Sequence, residues 1–241
     1  MFADIHNHIL PGVDDGAPSM GHSVEMARQA VAGGTDLLAA TPHRKYYTRK
    51  SAANDWLRER VQQVNKMLKI EHIPLTVVPG LEIPLTSAVA GELLRGELMT
   101  LGDAGISVLI EPPFEGLPED AVASLQAIRD AGFEVVLAHP ERNGDIQHDL
   151  TFLDLCAPME ITLQLTSGSL LGMFGMAAQA TAYAILQRWR DWPIIIASDG
   201  HDLRERTVTR MRDARDAAAA VVGYDEADEM VDLRPRALLG L

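Results

Sequence analysis

Short runs rich in β-branched and aliphatic residues recur along this chain, and a histidine or an acidic residue stands at or just past the end of six of them. The runs are 2–5, 36–40, 75–78, 107–110, 133–138, 161–165 and 193–197, seven in all, with starts roughly 25 to 40 residues apart. That spacing is what one strand and its following helix occupy, so the expected class is α/β with a parallel sheet wrapped by helices. The polar residues at the run ends are His6 and His8, then His43, Glu82, Glu111, His139, and finally Asp199 with His201.

The intervening segments carry helical periodicity. Ser19 is a suitable N-cap for a stripe of Met20, Val24, Ala27 and Val31 that stops at Gly33-Gly34. Leu57, Val61, Val64 and Leu68 repeat the spacing, and a third helix opening at Pro118 carries Val122, Leu125 and Ile128 before Gly132. These stripes read as core. Residues 1–241 contain no linker or low-complexity tract, so one domain is expected.

The same alternation suits an open sheet or a closed barrel. A barrel gathers every strand C-terminus around one mouth, whereas an open sheet scatters the outer ones, so six polar strand ends favour closure. In an extended strand alternate residues share a face, which sets His6 and His8 together. Asp15, in the following Asp-Asp-Gly turn, is a ninth candidate beside His6, His8, His43, Glu82, Glu111, His139, Asp199 and His201. His22, His72 and His148 fall on or beside helices and read as surface residues.

Mixed imidazole and carboxylate donors without cysteine suit Mn²⁺, Fe or Zn²⁺. Nine donors exceed one ion and suggest two or three divalent ions with bridging groups. This bears on the formal charge of −13, which disfavours nucleic acid and anionic lipid as partners. Three divalent ions would bring it to roughly −7, with the change concentrated at the mouth. Clustered divalent ions lower the pKa of bound water from about 15.7 to near 7 and stabilise phosphoryl oxygens, which makes phosphoester hydrolysis the natural task. Arg142 and Arg206 are the candidate phosphate-binding cations. For Arg206 an ordinary surface position remains an equal reading on local grounds. His43-Arg44-Lys45-Tyr46-Tyr47-Thr48-Arg49-Lys50 is expected to be a basic mouth loop that either steers an acidic substrate or is simply solvated.

DIHNHILPGVDDG at 4–16, TPH at 41–43, GLEI at 80–83, LIEPPF at 109–114, LAHPER at 137–142, LQLTSGSLLGMFG at 163–175 and ASDGH at 197–201 together resemble the bacterial CpsB/CapC-type protein-tyrosine phosphatases, a branch of the polymerase and histidinol phosphatase (PHP) superfamily. The resemblance implies a distorted seven-stranded (β/α), TIM-like barrel. It also implies a metal cluster, usually manganese, held by His6, His8, Asp15, His43, Glu82, Glu111, His139, Asp199 and His201. Arg142 and Arg206 would then bind phosphate, and Asp199 and His201 are the nearest groups to assist a leaving oxygen. The implied partner is an autophosphorylating tyrosine kinase linked to capsular or exopolysaccharide synthesis. Arg44 and Gly200 depart from many relatives, which carry a second histidine and a bulkier residue there.

The alternatives are a phosphatase for a small phosphomonoester (histidinol phosphate, a sugar phosphate or a nucleotide) and a barrel that binds without catalysis. An amidohydrolase is disfavoured by the lack of an eighth strand with a lone terminal Asp. A cysteine-dependent phosphatase is disfavoured because Cys156, the sole cysteine, is followed six positions later by Thr162 rather than Arg. The Met1-Phe2-Ala3-Asp4 start resembles no signal peptide and no apolar run reaches roughly 20 residues, so a cytoplasmic location without membrane insertion is expected.

Overall fold

The computed structural model describes residues 1–46, 53–189 and 192–241. Its strands are β1 (Phe2–Asn7), β2 (Thr35–Ala40), β3 (Thr76–Pro79), β4 (Glu82–Pro84), β5 (Ser107–Glu111), β6 (Glu134–Ala138), β7 (Thr162–Thr166) and β8 (Ile194–Ala197). All are parallel to their neighbours, in the orders β1-β2-β3 and β4-β5-β6-β7-β8. The α/β class follows as expected, but the closed seven-stranded barrel does not: among the described residues there are eight strands in two sheets. Two isolated parallel bridges, Asn7 to Gly200 and His43 to Glu82, span the junctions between them.

The additional strand arises at one place. Proline 79 ends β3 and has no amide hydrogen with which to continue a ladder. Gly80 then crosses Thr41 so closely that an added Cβ would lie 3.0 Å from its Cγ2. The chain resumes as β4, which pairs with β5 rather than β2. Glu82 therefore opens an additional strand instead of following the third one.

Both faces of the sheets are buried. Leu38, Ala40, Val108, Ile110, Val135, Leu137, Leu163, Leu165, Ile194 and Ile196 belong to the larger apolar cluster that the helices cover. Ala3, Ile5, Leu37, Ala39, Leu109, Val136, Ala138, Ile195 and Ala197 form a second, inner cluster with Leu101, Leu238 and Leu239. These strands thus alternate between two dry faces, as in parallel sheets enclosed by helices. On the inner face the alternation carries on past the apolar residues, through Leu109 to Glu111 and through Ile195 and Ala197 to Asp199.

β1 breaks this parity. Asp4 pairs with Leu38 and Asn7 with Ala40, so three steps on β1 match two on β2. The extra residue turns His6 and His8 toward the side that Ala3 and Ile5 occupy, the re-aiming that β-bulges commonly perform beside functional sites.

The helices largely follow the sequence pattern. α1 (Met20–Gly33) is capped by the Ser19 side chain and ends at Gly34, whose φ of 99° is left-handed. Its fully buried residues are Ser23, Met26, Ala27 and Ala30, so the stripe is rotated from the expected one; Met20, Val24 and Val31 pack only at its margin. The buried face of α1 is built from three small side chains and Met26, and the other large residues stay at its margin. α2 (Ala53–Ile70) buries Leu57, Val61, Val64 and Leu68 as expected. After α3 (Val89–Leu94), α4 (Ala121–Asp130) starts three residues beyond Pro118 and buries Leu125 and Ile128. Among the described residues no helix is long and apolar enough to cross a membrane.

Candidate metal centre

All nine expected donors meet at the C-terminal end of the strands. Their ligand atoms fall into four groups, each within 4.8 Å: His8, Asp15, His43 and His201; His6, His8 and Asp199; His6, Glu82 and His139; and His43, Glu82 and Glu111. His6, His8, His43 and Glu82 each belong to two groups, the pattern expected of donors shared between neighbouring ions. His22, His72 and His148 are exposed and remote from the cluster, as the sequence suggested.

Three imidazoles have their orientation fixed from behind. His6 Nδ1 donates to Gln164 Oε1 at 2.9 Å, His8 Nδ1 to Asp14 Oδ2 at 2.7 Å, and His201 Nδ1 to the Asp199 carbonyl at 2.9 Å. Each acceptor is an oxygen without a proton to give, so each ring's Nε2 is turned to the cluster as its donor atom, as in metal-ligating histidines. The His6 and His8 Nε2 atoms lie only 3.3 Å apart, and the buried His201 Nε2 has no hydrogen-bond partner.

The electrostatics show a site built around positive charge. Burial raises the Glu82 and Asp199 carboxyls, but the imidazole His6, together with other histidines and, at Asp199, Arg206, holds both well below the usual carboxylate range. Burial pushes the His8 imidazole down, yet its hydrogen bonds to Asp14 and Asp199 carry it up to about 10. Burial, followed by repulsion from His8, takes His201 down to about 2. Glu111 is raised by burial and by the neighbouring Glu82. Protons or metal ions must balance these carboxylates, and an all-nitrogen and oxygen donor set with shared members fits two or three divalent ions.

Strain marks two of the donors. His139, just after β6, has φ 32°, and Asp199, just after β8, has φ 51°. Left-handed backbone at a residue other than glycine costs about 1–3 kcal/mol and is retained where the surroundings enforce it. At Asp199 the enforcement is visible: its N–H donates to the His6 carbonyl at 2.9 Å, and Asp4 accepts from the adjacent Ser198 N–H at 2.9 Å. Beyond it, His8 N–H donates to the Gly200 carbonyl at 2.9 Å. A Cβ on Gly200 would fall 2.5 Å from Val208 and 2.6 Å from Asn7, so this close approach requires glycine.

Asp199 also joins the cluster to the two arginines. Its Oδ2 accepts from Arg142 at 2.5 Å and from Arg206 at 2.8 Å, while Oδ1 stands 3.3 Å from His6 and 3.4 Å from His8. Arg206 is thus at the site and not on a remote surface. The cavity here has a volume of about 170 Å³, and Arg142, Arg206, Asp15 and Lys45 are among its lining residues. Arg44 turns away to pair with Glu92 of α3. The rest of the expected basic loop, including Tyr47, Arg49 and Lys50 and the side chain of Tyr46, lies outside the described residues. Cys156 is buried and its thiol is pushed up to about 12 by that burial, far from a reactive thiolate.

Several residues at the site escaped the sequence reading. Asp14 holds His8 and also accepts from the His43 N–H at 3.2 Å. Gln164 orients His6, and buried Glu141 accepts from the Thr166 N–H at 3.0 Å, tying the turn of Arg142 to the end of β7. Phe114 and Phe174 both lie against the Arg142 guanidinium, their ring centroids 4.8 and 4.2 Å from its Cζ.

The chain is 38% identical over 205 residues, 84% of its length and 78% of the relative's, to the tyrosine-protein phosphatase YwqE of Bacillus subtilis (strain 168). It is 26% identical over 241 residues, 98% of this chain and 97% of the other, to the tyrosine-protein phosphatase CpsB of Streptococcus pneumoniae. A crystal structure of YwqE and CpsB from these species, described as unique metal-dependent tyrosine phosphatases, matches at TM-score 0.89 and 34% identity, covering 99% of this chain and 94% of that one. A β-aspartyl dipeptidase from Fervidobacterium islandicum-AW-1 shares the fold alone, at TM-score 0.55 and 16% identity over 98% of this chain and 72% of its own. The family model for capsular polysaccharide synthesis, CpsB/CapC, matches residues 2–240, and the chain belongs to that family.

Proposed function

We propose that this chain is a metal-dependent protein-tyrosine phosphatase acting on a phosphotyrosyl protein, an autophosphorylating tyrosine kinase of capsular or exopolysaccharide synthesis. The observation that carries the reading is Asp199, one carboxylate that faces the histidine cluster with one oxygen and two guanidinium groups with the other. Similarity to YwqE and CpsB, and the polysaccharide-synthesis family itself, support the substrate class.

His6, His8, Asp15, His43, Glu82, Glu111, His139, Asp199 and His201 would hold two or three divalent ions, Mn²⁺ in our reading. Bound there, such ions supply a water acidic enough to act as a hydroxide nucleophile, and charge for the phosphoryl oxygens. Arg142 and Arg206 exchange their bonds to Asp199 for bonds to the non-bridging phosphate oxygens, which a guanidinium matches in pairs. Despite its burial, the Asp199 carboxyl is held ionised, by His6 above all, and has no proton to give, and His201 Nδ1–H is committed to a carbonyl, so we read both residues as metal ligands rather than as proton donors. A tyrosyl leaving group with a pKa of about 10 has less need of an acid than an alkoxide does. Residues 1–241 act as one cytoplasmic unit in this reading.

The test compares metal-loaded protein on phosphotyrosyl peptides with a panel of histidinol phosphate, sugar phosphates and nucleotides. Peptides should give the highest kcat/KM. A small metabolite turned over faster than every peptide overturns the tyrosine assignment.

A further inference from the structure

Phe114 is 49% exposed, yet the chain fixes it in place. It follows Pro112 and Pro113, two residues whose rings restrict φ and leave no amide to donate. The carbonyls on either side of that last linkage are both held by the segment just after Arg142: Asn143 Nδ2 donates to the Pro113 carbonyl at 2.6 Å, and the Gly144 N–H to the Phe114 carbonyl at 2.8 Å. The position of this half-exposed ring is thus set by hydrogen bonds to its own backbone segment and not by burial in the core.

Its surroundings say what it can receive. The Phe114 ring stacks on His139 with centroids 5.6 Å apart and 13° between planes, and its centroid lies 4.8 Å from the Arg142 Cζ, which also has Phe174 at 4.2 Å. The two phenylalanines differ in setting. Phe174 is bedded against Gly168, where a Cβ would lie 2.7 Å from its ring. Phe114 lines the mouth of the cavity beside Arg142, Arg206 and Asp15.

In an aryl phosphate the ring is separated from phosphorus by a single ester oxygen, so a phosphoryl group at the two arginines must carry its ring directly beside them. We infer that Phe114 is a specificity-determining residue, the platform on which the tyrosyl ring of the substrate packs. This rests on the phosphatase reading above and names the residue that separates aryl from alkyl phosphates. Offset or edge-to-face contact with an aromatic partner stabilises such a ring where an alkyl chain has no comparable face to offer.

The experiment measures KM for a phosphotyrosyl peptide and for glycerol phosphate in metal-loaded wild-type, Phe114→Ala, Phe114→Leu and Phe114→Tyr proteins, together with metal content. The ratio of peptide KM to glycerol phosphate KM should rise roughly three- to tenfold in Phe114→Ala and Phe114→Leu and return to the wild-type ratio in Phe114→Tyr. An unchanged ratio, with both KM values rising together, means that Phe114 acts only through His139 and Arg142 and overturns the inference. A wild-type protein that shows no preference for the peptide overturns the phosphotyrosyl reading itself, whereas a clear wild-type preference whose KM ratio is unchanged in Phe114→Leu overturns the Phe114 assignment alone.

Discussion

Arg142 and Asp199 form an ion pair of 2.5 Å in which the arginine contacts two phenylalanine rings while the aspartate faces two histidines. The pair couples a cation-binding cluster to an anion-binding group through one carboxylate. Either function placed elsewhere would have needed no such shared residue.

The Arg142 guanidinium meets the donor set through its ion pair with Asp199, so its loss should spare the metals. Arg142→Ala is expected to lower kcat/KM by about 10²- to 10³-fold, the range found when one preorganised donor to a developing oxyanion is removed. Metal content measured by elemental analysis should stay near that of the wild type. Loss of the ions together with activity would reassign Arg142 to holding the cluster.

Asp14 supplies the acceptor for His8 Nδ1 and for the His43 N–H, and its carboxyl is raised by burial but brought below the usual range by His8. Removing such an outer partner typically weakens metal binding 10- to 100-fold. Asp14→Ala should show that loss in a Mn²⁺ titration, with Asp14→Asn intermediate because its amide oxygen still accepts from His8. Wild-type affinity in Asp14→Ala would mean that His8 needs no support.

Much of this site was legible in the sequence, and the reason is geometric. His43, Glu111, His139 and Asp199 stand where strand-like runs end, and parallel strands carry their ends to a single rim. What stayed hidden depends on contacts that no period reports. Asp14 sits beside Asp15 in the same turn, and nothing local tells the buried support from the half-exposed donor. Gln164 lies inside an apolar run, where its link to His6 spans 158 positions. Glu82 was placed at the rim, but the break at Pro79-Gly80 that gives it a strand of its own depends on how tightly Gly80 crosses Thr41. The β1 irregularity, which aims His6 and His8 inward, is likewise invisible to a simple alternation rule. That rule set the two histidines on one face without showing which face it was.

Metal uptake should depend on pH with a defined sign. Without metal, the His8 imidazole is held up to about 10, so it carries a proton at neutral pH that an incoming ion must displace. Affinity for Mn²⁺ should therefore rise with pH, by about tenfold per unit for each proton released, and fall as the solution is acidified. Isothermal titration at pH 6, 7 and 8 in buffers of different ionisation enthalpy would report both the slope and the released protons. An affinity independent of pH would contradict the proton-occupied cluster.

The most direct test follows divalent-metal content and phosphotyrosyl peptide hydrolysis together in one sample as a chelator is added and Mn²⁺ is then returned. The account predicts two or three ions per chain in the active protein, parallel loss of ions and activity, and recovery of both. Full hydrolytic activity in protein stripped of metal would contradict it.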